Sequence, residues 1–350
     1  MKAKYSLIFL FICALMVCAF IGGKNRIRNE YGNEVCRSGE VLKRRDVPPQ
    51  FTKRVRPQKM ESRRRRAIEF VEVGDRPGLG NPRTLQLEGQ NIYVLDAATQ
   101  QIRQFSHQGI EQQSYGAGHG LGPGQHQHIV GFGVTSKGEV ITGDTAARRI
   151  SIFNASGTFQ RSMHPDKAML RFGLTEEKKA VYLTVPTAVY FNDIEKGTSS
   201  EGETLVEDPI KWAGALDGGL RGDARGGVIQ FAFYYDVMIR WTPDGSIDYI
   251  RNMIGSYPDT PLENINMGYR VDTQDARYRV NDVSVTKDNI HVLVIFLKEN
   301  SNAHVVDVYN VDGGDYKYSY KLPEYSRGIG VSGNNIVGLK DTTFAVWERK

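Results

Sequence analysis

The sequence predicts an all-β fold, a six-bladed β-propeller, and three observations lead to this prediction. From Ile68 onward, short apolar runs rich in Val, Ile, Tyr and Phe alternate with Gly, Asp and Asn, which is typical of strands and turns. A template of a strand ending in Asp, a turn, a second strand and a glycine turn recurs along the chain. Four strands in a repeat of about 40 to 50 residues are typical of a propeller blade, because solenoid β-repeats are shorter.

The first 23 residues are predicted to be a signal peptide or a signal anchor. Lys2 and Lys4 precede an uncharged, largely apolar run from Tyr5 to Gly23, an order that is typical of export signals. Small residues before Phe20 suit a signal-peptidase cut, but the run is nearly as long as the ~20 residues of a spanning helix, so an uncleaved anchor is the alternative. The body is predicted to be exported, and so periplasmic, secreted or tethered to a membrane.

Residues 24–66 are predicted to be a basic, disordered linker. Residues 1–66 contain 17 Lys/Arg and 5 Asp/Glu, so the rest of a chain with a net charge of +5 carries −7. Because the basic excess is confined to this arm, we do not predict nucleic-acid binding. One interpretation is that the linker contacts an anionic membrane surface, with a binding free energy of roughly 1 kcal/mol per basic residue. A spacer that is merely soluble is the other.

Residues 67–350 are predicted to form the propeller. The positions Asp96, Ile102, Phe105 and Gly109 recur 48 residues later as Asp144, Ile150, Phe153 and Gly157. Innermost strands are predicted to begin near Arg83, Ile129, Arg171, Lys211, Val280 and Arg327, which gives six blades. The strand at 344–347 and the strand at 68–73 are predicted to complete one blade together and so close the ring. Residues 253–276 are predicted to be a long loop between the fourth and fifth blades.

One stretch of the chain resembles a known repeat. It contains Gly116, Gly118, Gly120, Gly122, Pro123, Gly124 and Gln125 before a strand, then Gly138, Asp144 and the run Arg149-Ile150-Ser151-Ile152-Phe153. This pattern resembles the NHL repeat of six-bladed propellers, clearly over residues 81–163. The resemblance implies a central channel and fixes no activity, because that group includes protein- and RNA-binding modules, an amidating lyase and metal-dependent lactonase-like hydrolases.

Two recurring features are interpreted as structural. The glycine-rich run at 116–124 precedes a strand, whereas a phosphate-binding glycine loop precedes a helix, so we predict a turn between blades. Asp96 and Asp144 follow second strands in both clear repeats, which favours hydrogen bonding to turns. The motifs G-x-S-x-G, H-E-x-x-H, C-x-x-C and the P-loop do not occur, so the enzyme classes that they mark have no motif support.

Four residues are candidate metal ligands. His126 and His128 form an H-x-H pair, which puts both side chains on one face of a strand, as in many β-sheet zinc sites. Asn281 and Asp282 open the fifth innermost strand, where calcium-dependent propeller hydrolases place oxygen ligands. No cofactor is expected by default, with Ca²⁺ or Zn²⁺ as the alternatives, and solvent-exposed imidazoles and strand capping are the structural interpretations of these residues.

Basic residues recur where innermost strands are predicted to begin, and they could form a ring at one mouth of the channel. They are Arg83, His128, Arg171, Lys211, Arg279 and Arg327. Converging cations would attract an anionic ligand, and an arginine could hold a carboxylate or phosphate by two hydrogen bonds. The sequence therefore favours a binding module for a protein partner or a small anionic ligand. A metal-dependent hydrolase or lyase is the alternative.

Overall fold

A computed structural model of the protein describes residues 54–60, 62–184, 188–206, 216–233, 236–254, 262–265, 268–271, 280–295 and 304–350. The regular elements in these ranges are β-strands. None of these ranges contains a helix with the length and apolar character needed to cross a bilayer. The predicted signal segment, residues 1–23, and residues 24–53 of the predicted linker lie outside the described part of the chain.

The first half of the chain supplies two separate strands and three blades. The separate strands are β1 (Val55–Arg56) and β2 (Phe70–Val73). Blade 1 consists of β3 (Pro82–Glu88), β4 (Asn91–Asp96), β5 (Gln101–Ser106) and β6 (Glu111–Tyr115). Blade 2 consists of β7 (Ile129–Val134), β8 (Val140–Asp144), β9 (Arg149–Phe153) and β10 (Phe159–Met163). Blade 3 consists of β11 (Arg171–Leu174), β12 (Lys179–Leu183), β13 (Val189–Asp193) and β14 (Thr198–Glu201).

The second half of the chain supplies three further blades and a hairpin. Blade 4 consists of β15 (Gly218–Gly222), β16 (Val228–Ala232), β17 (Val237–Trp241) and β18 (Ile247–Asn252). The hairpin of β19 (Leu262–Ile265) and β20 (Gly268–Val271) follows. Blade 5 consists of β21 (Val280–Val285), β22 (Asn289–Ile295), β23 (His304–Asn310) and β24 (Tyr316–Lys321). Blade 6 consists of β25 (Gly328–Ser332), β26 (Asn335–Leu339), β27 (Phe344–Arg349) and the early strand β2.

The blades are antiparallel sheets arranged in a ring, which confirms the prediction of an all-β, six-bladed propeller. The innermost strands β3, β7, β11, β15, β21 and β25 contact one another in chain order, and β25 contacts β3 to complete the circle. Strand β2 pairs with β27, so the two ends of the chain share one blade, as predicted. The closed ring leaves no unpaired edge at the junction.

Apolar clusters fill the spaces between neighbouring blades, one cluster at each of the six interfaces. Successive residues of a strand point to opposite faces, so a blade packs on both sides. In blade 4, for example, Val228 and Trp241 pack against blade 3, whereas Ile229 and Met238 pack against blade 5. Because the second and third strands are covered on both faces, nearly all their residues are buried.

Glycines allow the innermost strands to converge near the channel axis. A Cβ atom at Gly133 would overlap Cβ of Leu174 in the next blade, and one at Gly330 would overlap the side chains of Leu85 and Leu87. These glycines therefore have no space for a side chain, since the neighbouring blade occupies it.

Three sequence predictions differ from the structure. The innermost strand of blade 4 is Gly218–Gly222 and does not begin near Lys211, which lies outside the described residues. Three of its five residues are glycine, so no apolar alternation marks it. Residues 253–276, predicted to be a loop, contain the hairpin Leu262–Val271, whose strands pair through backbone atoms that composition does not reveal.

The third difference concerns the predicted linker, because its last part is docked on the propeller. We name residues 54–60 and 62–66 the strap. Its strand β1 adds a fifth, parallel strand to the outer edge of blade 4. Farther on, Arg66 N donates to Ser319 O of blade 5 at 2.7 Å, and Ser319 N donates to Arg64 O at 2.9 Å. These contacts use backbone atoms, so the strap needs no apolar periodicity and its sequence still resembles a linker.

One buried ion pair anchors the strap. The guanidinium of Arg63 donates from Nε at 2.9 Å and from Nη2 at 2.8 Å to the two carboxylate oxygens of Asp307, whose side chain is 0% exposed. Ser319 Oγ also donates to this carboxylate at 2.6 Å, and Arg63 Nη2 donates to Ile254 O. Without Arg63, Asp307 would be a buried carboxylate that has lost its counterion.

Candidate functional site

The central channel widens into a cavity of about 560 Å³ at the mouth where the innermost strands turn into the second strands. We name this end the hairpin mouth. All six blades contribute to its lining, through residues 85–89, 134–136, 174–176, 221–224, 283–289 and 331–333. The volume lies within the range of about 300 to 1,000 Å³ that small-molecule sites occupy.

Arg221, from the innermost strand of blade 4, reaches across the channel and forms the floor of the cavity. Its Nη2 donates to Asp282 Oδ1 of blade 5 at 2.6 Å and to Thr84 Oγ1 of blade 1 at 2.7 Å. Its Nε donates to Val283 O at 3.0 Å. The side chains of Arg221 and Asp282 are 14% and 7% exposed, so this ion pair is largely shielded from water.

Asp282 extends the same network to blade 6. Its Oδ2 accepts a hydrogen bond from Ile329 N at 3.1 Å, and its Oδ1 accepts one from Val283 N at 2.8 Å. The Arg221–Asp282 pair therefore connects the innermost strands of blades 4, 5, 1 and 6. We name this network the axial brace. It can hold the cavity floor in one geometry, since every partner belongs to an innermost strand.

The wall between blades 1 and 2 is fixed by a second polar contact. The amide of Gln86 donates to Phe132 O at 3.0 Å and accepts from Val134 N at 3.2 Å. Between blades 5 and 6, Ser284 Oγ accepts from Val331 N at 2.9 Å. The innermost strands of neighbouring blades are not paired with each other. In these two places a side chain of one blade instead bonds backbone atoms of the next blade.

The ionisable side chains around the cavity divide it into two sides. Glu88 and Glu176 lie on the side of blades 1 to 3, and burial together with the nearby charge of Glu176 raises the pKa of Glu88. Lys287 and Arg349 lie on the side of blades 5 and 6. Asp223, from blade 4, is buried and its charge is matched by Arg240 at 2.8 Å. Asp288 lies next to Lys287, so a bound molecule would meet carboxylates on the side of blades 1 to 3 and charges of both signs on the side of blades 5 and 6.

His291 lies at the edge of the cavity between blades 5 and 6. Its side chain is buried, and its Nδ1 is 3.3 Å from the hydroxyl oxygen of Tyr320. Burial, reinforced by the positive charges of Arg349 and Lys317, lowers the pKa of His291 to about 3. The imidazole is therefore neutral near pH 7.

The predicted basic ring belongs to the other mouth, where the innermost strands begin. Arg171 donates to Asp217 at 2.7 Å and lies over the ring of Phe233. Arg327 donates to Asp341 at 2.9 Å. Two of the predicted cations, Arg171 and Arg327, therefore form ion pairs with carboxylates. Arg83 and His128 are exposed, whereas Lys211 and Arg279 lie outside the described residues. A ligand site at this ring stays a prediction.

The two candidate metal-binding histidines lie in different environments. His126 is fully buried: its Nε2 is 2.9 Å from Thr142 Oγ1, its ring packs 5.7 Å from that of Phe153, and burial lowers its pKa to about 4. His128 is exposed. Among the described residues, no cluster of three or more His, Cys, Asp or Glu side chains is arranged to hold a metal ion.

The other two candidate metal ligands, Asn281 and Asp282, lie next to each other in β21. Asp282 has its oxygens bonded in the axial brace, whereas Asn281 is half-buried at a bulge where β21 shifts register against β22. Bulges occur at the equivalent position of blades 1 and 2, at Arg83 and Val130. The bulge is therefore shared by three innermost strands, with Arg83, Val130 and Asn281 at the equivalent position.

The structural roles predicted for Asp96 and Asp144 are confirmed. Asp96 accepts hydrogen bonds from the backbone of Gly80, Asn81 and Ala98, and Asp144 accepts them from Gln127, His128 and Ala147. Each carboxylate therefore joins the turn after a second strand to the segment that enters the innermost strand.

The glycine-rich run forms a compact turn between blades 1 and 2, as predicted. Ala117 N donates to Gly124 O at 2.8 Å, and His126 N donates to Gly118 O at 2.9 Å. The guanidinium of Arg149 donates to the carbonyl groups of Leu121 and Gly122. Because Arg149 bonds two of its carbonyl groups, the glycine-rich run is explained as a structural turn.

Sequence reasoning missed the residues that form the cavity. Arg221 lies in the short, glycine-rich strand that the repeat pattern did not reveal. Glu88 and Glu176 lie at the ends of innermost strands, or just after them, and no motif marks them. One signal was available: Glu88 ends an innermost strand, and Ser136, Glu176, Lys287 and Gly333 lie in the turns that follow such strands.

Comparison with known proteins shows the fold alone. No protein-family model matches the sequence, and no curated protein matches it. A protein from Bacteroides fragilis that is described as exported aligns over 80% of this chain and 94% of its own, with a TM-score of 0.52 and 12% identity. The WD40 repeats of RRP9 align over 81% of this chain and 100% of theirs, with a TM-score of 0.52 and 12% identity.

An enzyme has the same fold as well. Virginiamycin B lyase from Staphylococcus aureus aligns over 80% of this chain and 99% of its own, with a TM-score of 0.50 and 12% identity. At this identity, the similarity of these proteins extends to their architecture and to nothing finer. The resemblance to the NHL repeat stays a prediction.

Proposed function

We propose that this protein is an exported binding propeller that holds a small polar ligand in the cavity at the hairpin mouth. The observation that carries the proposal is the cavity itself: about 560 Å³, lined by all six blades and floored by the axial brace. Concave, pre-formed cavities of this size, in which a few convergent polar groups fix the orientation of a ligand, are common binding sites. The apolar run at residues 5–23 supports export.

The distribution of charge supports a ligand with an anionic group. Lys287 and Arg349 offer cationic donors on the side of blades 5 and 6, against one carboxylate there, Asp288, whereas Asp223 of blade 4 is already matched by Arg240. On the opposite side, Glu88 and Glu176 suit a hydrogen-bond donor or a cationic group of the same molecule. This division favours ligands that carry both kinds of group, such as small amino acids or amino-substituted phosphates.

A protein partner that inserts a charged loop into the hairpin mouth is the second candidate. The hairpins around the cavity carry exposed side chains, among them Glu176, Lys287 and Asp288. By contrast, the enzyme alternative is less well supported, because two of its candidate metal ligands have structural roles: His126 is buried against Phe153, and Asp282 is bonded to Arg221.

Thermal stabilisation by ligands tests the proposal. The full-length protein is screened with small carboxylates and phosphates, with and without amino groups, and a true ligand raises the melting temperature steadily with the logarithm of its concentration above Kd. The variant Lys287→Glu should abolish the shift. Lys137→Glu is the matched control, because Lys137 is exposed in the equivalent region of blade 2 but does not line the cavity. Equal shifts in both variants would refute the assignment of this mouth.

A further inference from the structure

The strap turns part of the basic arm into a fixed surface. The basic residues in question are exposed and follow the outer edges of blades 4 and 5; they are Arg56, Lys59, Arg64, Arg65, Arg66 and Lys321. We name this set the basic rim. It lies on the circumference of the propeller, away from both mouths of the channel.

The rim is held in place by bonds along the whole strap. The side chain of Gln58 donates to Asn252 O at 2.7 Å and to Gly314 O at 2.8 Å, and it accepts from Tyr316 N at 2.9 Å. The backbone ladder to Ser319 and the buried Arg63–Asp307 pair fix its second half. Charges on such a frame lose less conformational entropy on binding than charges on a mobile arm.

The charges of the rim also remain available to a partner. Within the described ranges, no carboxylate lies at ion-pair distance from the side chains of Arg56, Lys59 or Arg64–Arg66. The strap's other arginines are used differently, since Arg54 bonds Glu203 and Arg63 bonds Asp307. Arg66 lies 5.3 Å from the centre of the Tyr318 ring and is still exposed.

We propose that the basic rim docks on an anionic membrane surface and holds the propeller edge-on, with the channel axis parallel to the membrane. The apolar run at 5–23 precedes the strap in the chain, and the described chain joins the propeller at Arg54, on this same edge. A membrane-bound N-terminal segment and the rim would therefore meet the same lipid surface. This inference is independent of the ligand proposed for the cavity, and both mouths stay open in this orientation.

The test uses the full chain reconstituted in vesicles and a fluorescent amino acid at Ser62, an exposed position within the strap. A headgroup-attached quencher reports the distance to the lipid. Zwitterionic vesicles are compared with vesicles that contain phosphatidylglycerol. Quenching should be stronger on the anionic vesicles and should fall in high salt, because screening weakens surface attraction. A fluorophore at Gln112, on the outer strand of blade 1, should remain unquenched on both.

Charge reversal then identifies the residues responsible. Loss of three basic charges at an anionic lipid surface lowers the ratio of docked to undocked propeller by on the order of 100-fold. R64E/R65E/R66E should therefore reduce quenching on anionic vesicles to the zwitterionic level. K137E/K167E/K196E reverses three exposed lysines of blades 2 and 3 and should leave quenching unchanged.

Three outcomes would overturn the proposal. They are equal quenching at positions 62 and 112, equal loss of quenching in the two triple variants, and tight binding to duplex DNA without any anionic-lipid effect. Thermal unfolding of each variant in detergent verifies that the propeller is intact. None of these readouts depends on a cavity ligand, so failure here and failure of the proposed binding function are separate results.

Discussion

Removal of Arg221 should destabilise the propeller strongly, because this one side chain serves three blades. In Arg221→Met, Asp282 keeps its two backbone donors and loses its counterion, while Thr84 Oγ1 and Val283 O lose a donor. Breaking a buried ion pair by removing one partner costs about 3–5 kcal/mol. At roughly 2–4 °C per kcal/mol for large domains, the melting temperature should fall by on the order of 10 °C.

A double-mutant cycle separates the ion pair from the general cost of substitution. Asp282→Asn removes the other partner and should likewise cost about 3–5 kcal/mol, because the largely buried guanidinium of Arg221 then has no counterion. The double variant should be less destabilised than the sum of the two single variants, by at least about 1 kcal/mol, because neither charge is then buried alone. Denaturant titration followed by fluorescence of the buried Trp241 and Trp347 measures all four proteins.

The pH dependence gives an independent check on the same variant. Burial raises the pKa of the Asp282 carboxyl, and Arg221 opposes this effect. Without Arg221, the folded-state pKa should rise further above that of the unfolded chain, so the folded protein gains proton affinity. The deficit of Arg221→Met should therefore be smaller at pH 5 than at pH 8. Additive energies, a loss below about 1 kcal/mol, or a pH-independent deficit would each contradict the axial brace.

Three further predictions concern other parts of the ring. The folded-state pKa is about 4 for His126 and about 3 for His291, whereas the ordinary value for histidine is 6.5. Below pH 6.5 the unfolded chain therefore binds more protons than the folded protein. Stability should therefore fall as pH decreases, by about 2 kcal/mol per histidine at pH 5, and unfolding of His291→Phe should be less acid-sensitive. Gly133→Val should prevent native packing of blades 2 and 3, which calorimetry would detect as a lower melting temperature. Arg63→Met should cost about 3–5 kcal/mol by leaving Asp307 unpaired, whereas Arg54→Met should cost under about 1 kcal/mol, as denaturant titration would show.

The sequence predicted the ring well where strand alternation is strong. Blades 1 and 2 share Asp, Ile, Phe and Gly at equal spacing, and the two aspartates, Asp96 and Asp144, bond equivalent backbone segments in the two blades. Closure by β2 and β27 was also predictable, since each end of the chain had strands without a complete blade. Blade 4 was harder because the glycines of Gly218–Gly222 give no alternation.

The cavity and the strap could not be predicted for a different reason. Arg221 is defined by partners in blades 5 and 1, and no local pattern encodes contacts across the channel. Arg63 and Asp307 are likewise far apart in sequence and meet only when the ring has formed. A basic residue that anchors the strap and one that faces solvent have the same appearance in the sequence, so composition alone assigned both to a linker.

The contribution of β2 to blade 6 has a consequence for the order of folding. Its partner β27 is the last strand of the chain, so the final blade cannot form until nearly every other residue has been synthesised. Contacts between chain ends require a large loop to close, and such contacts form slowly. The strap has the same dependence, because its partners lie in blades 4 and 5. The strap and β2 therefore wait, unpaired, for partners that are synthesised later by about 180 residues or more, so the ring closes as a late step in folding.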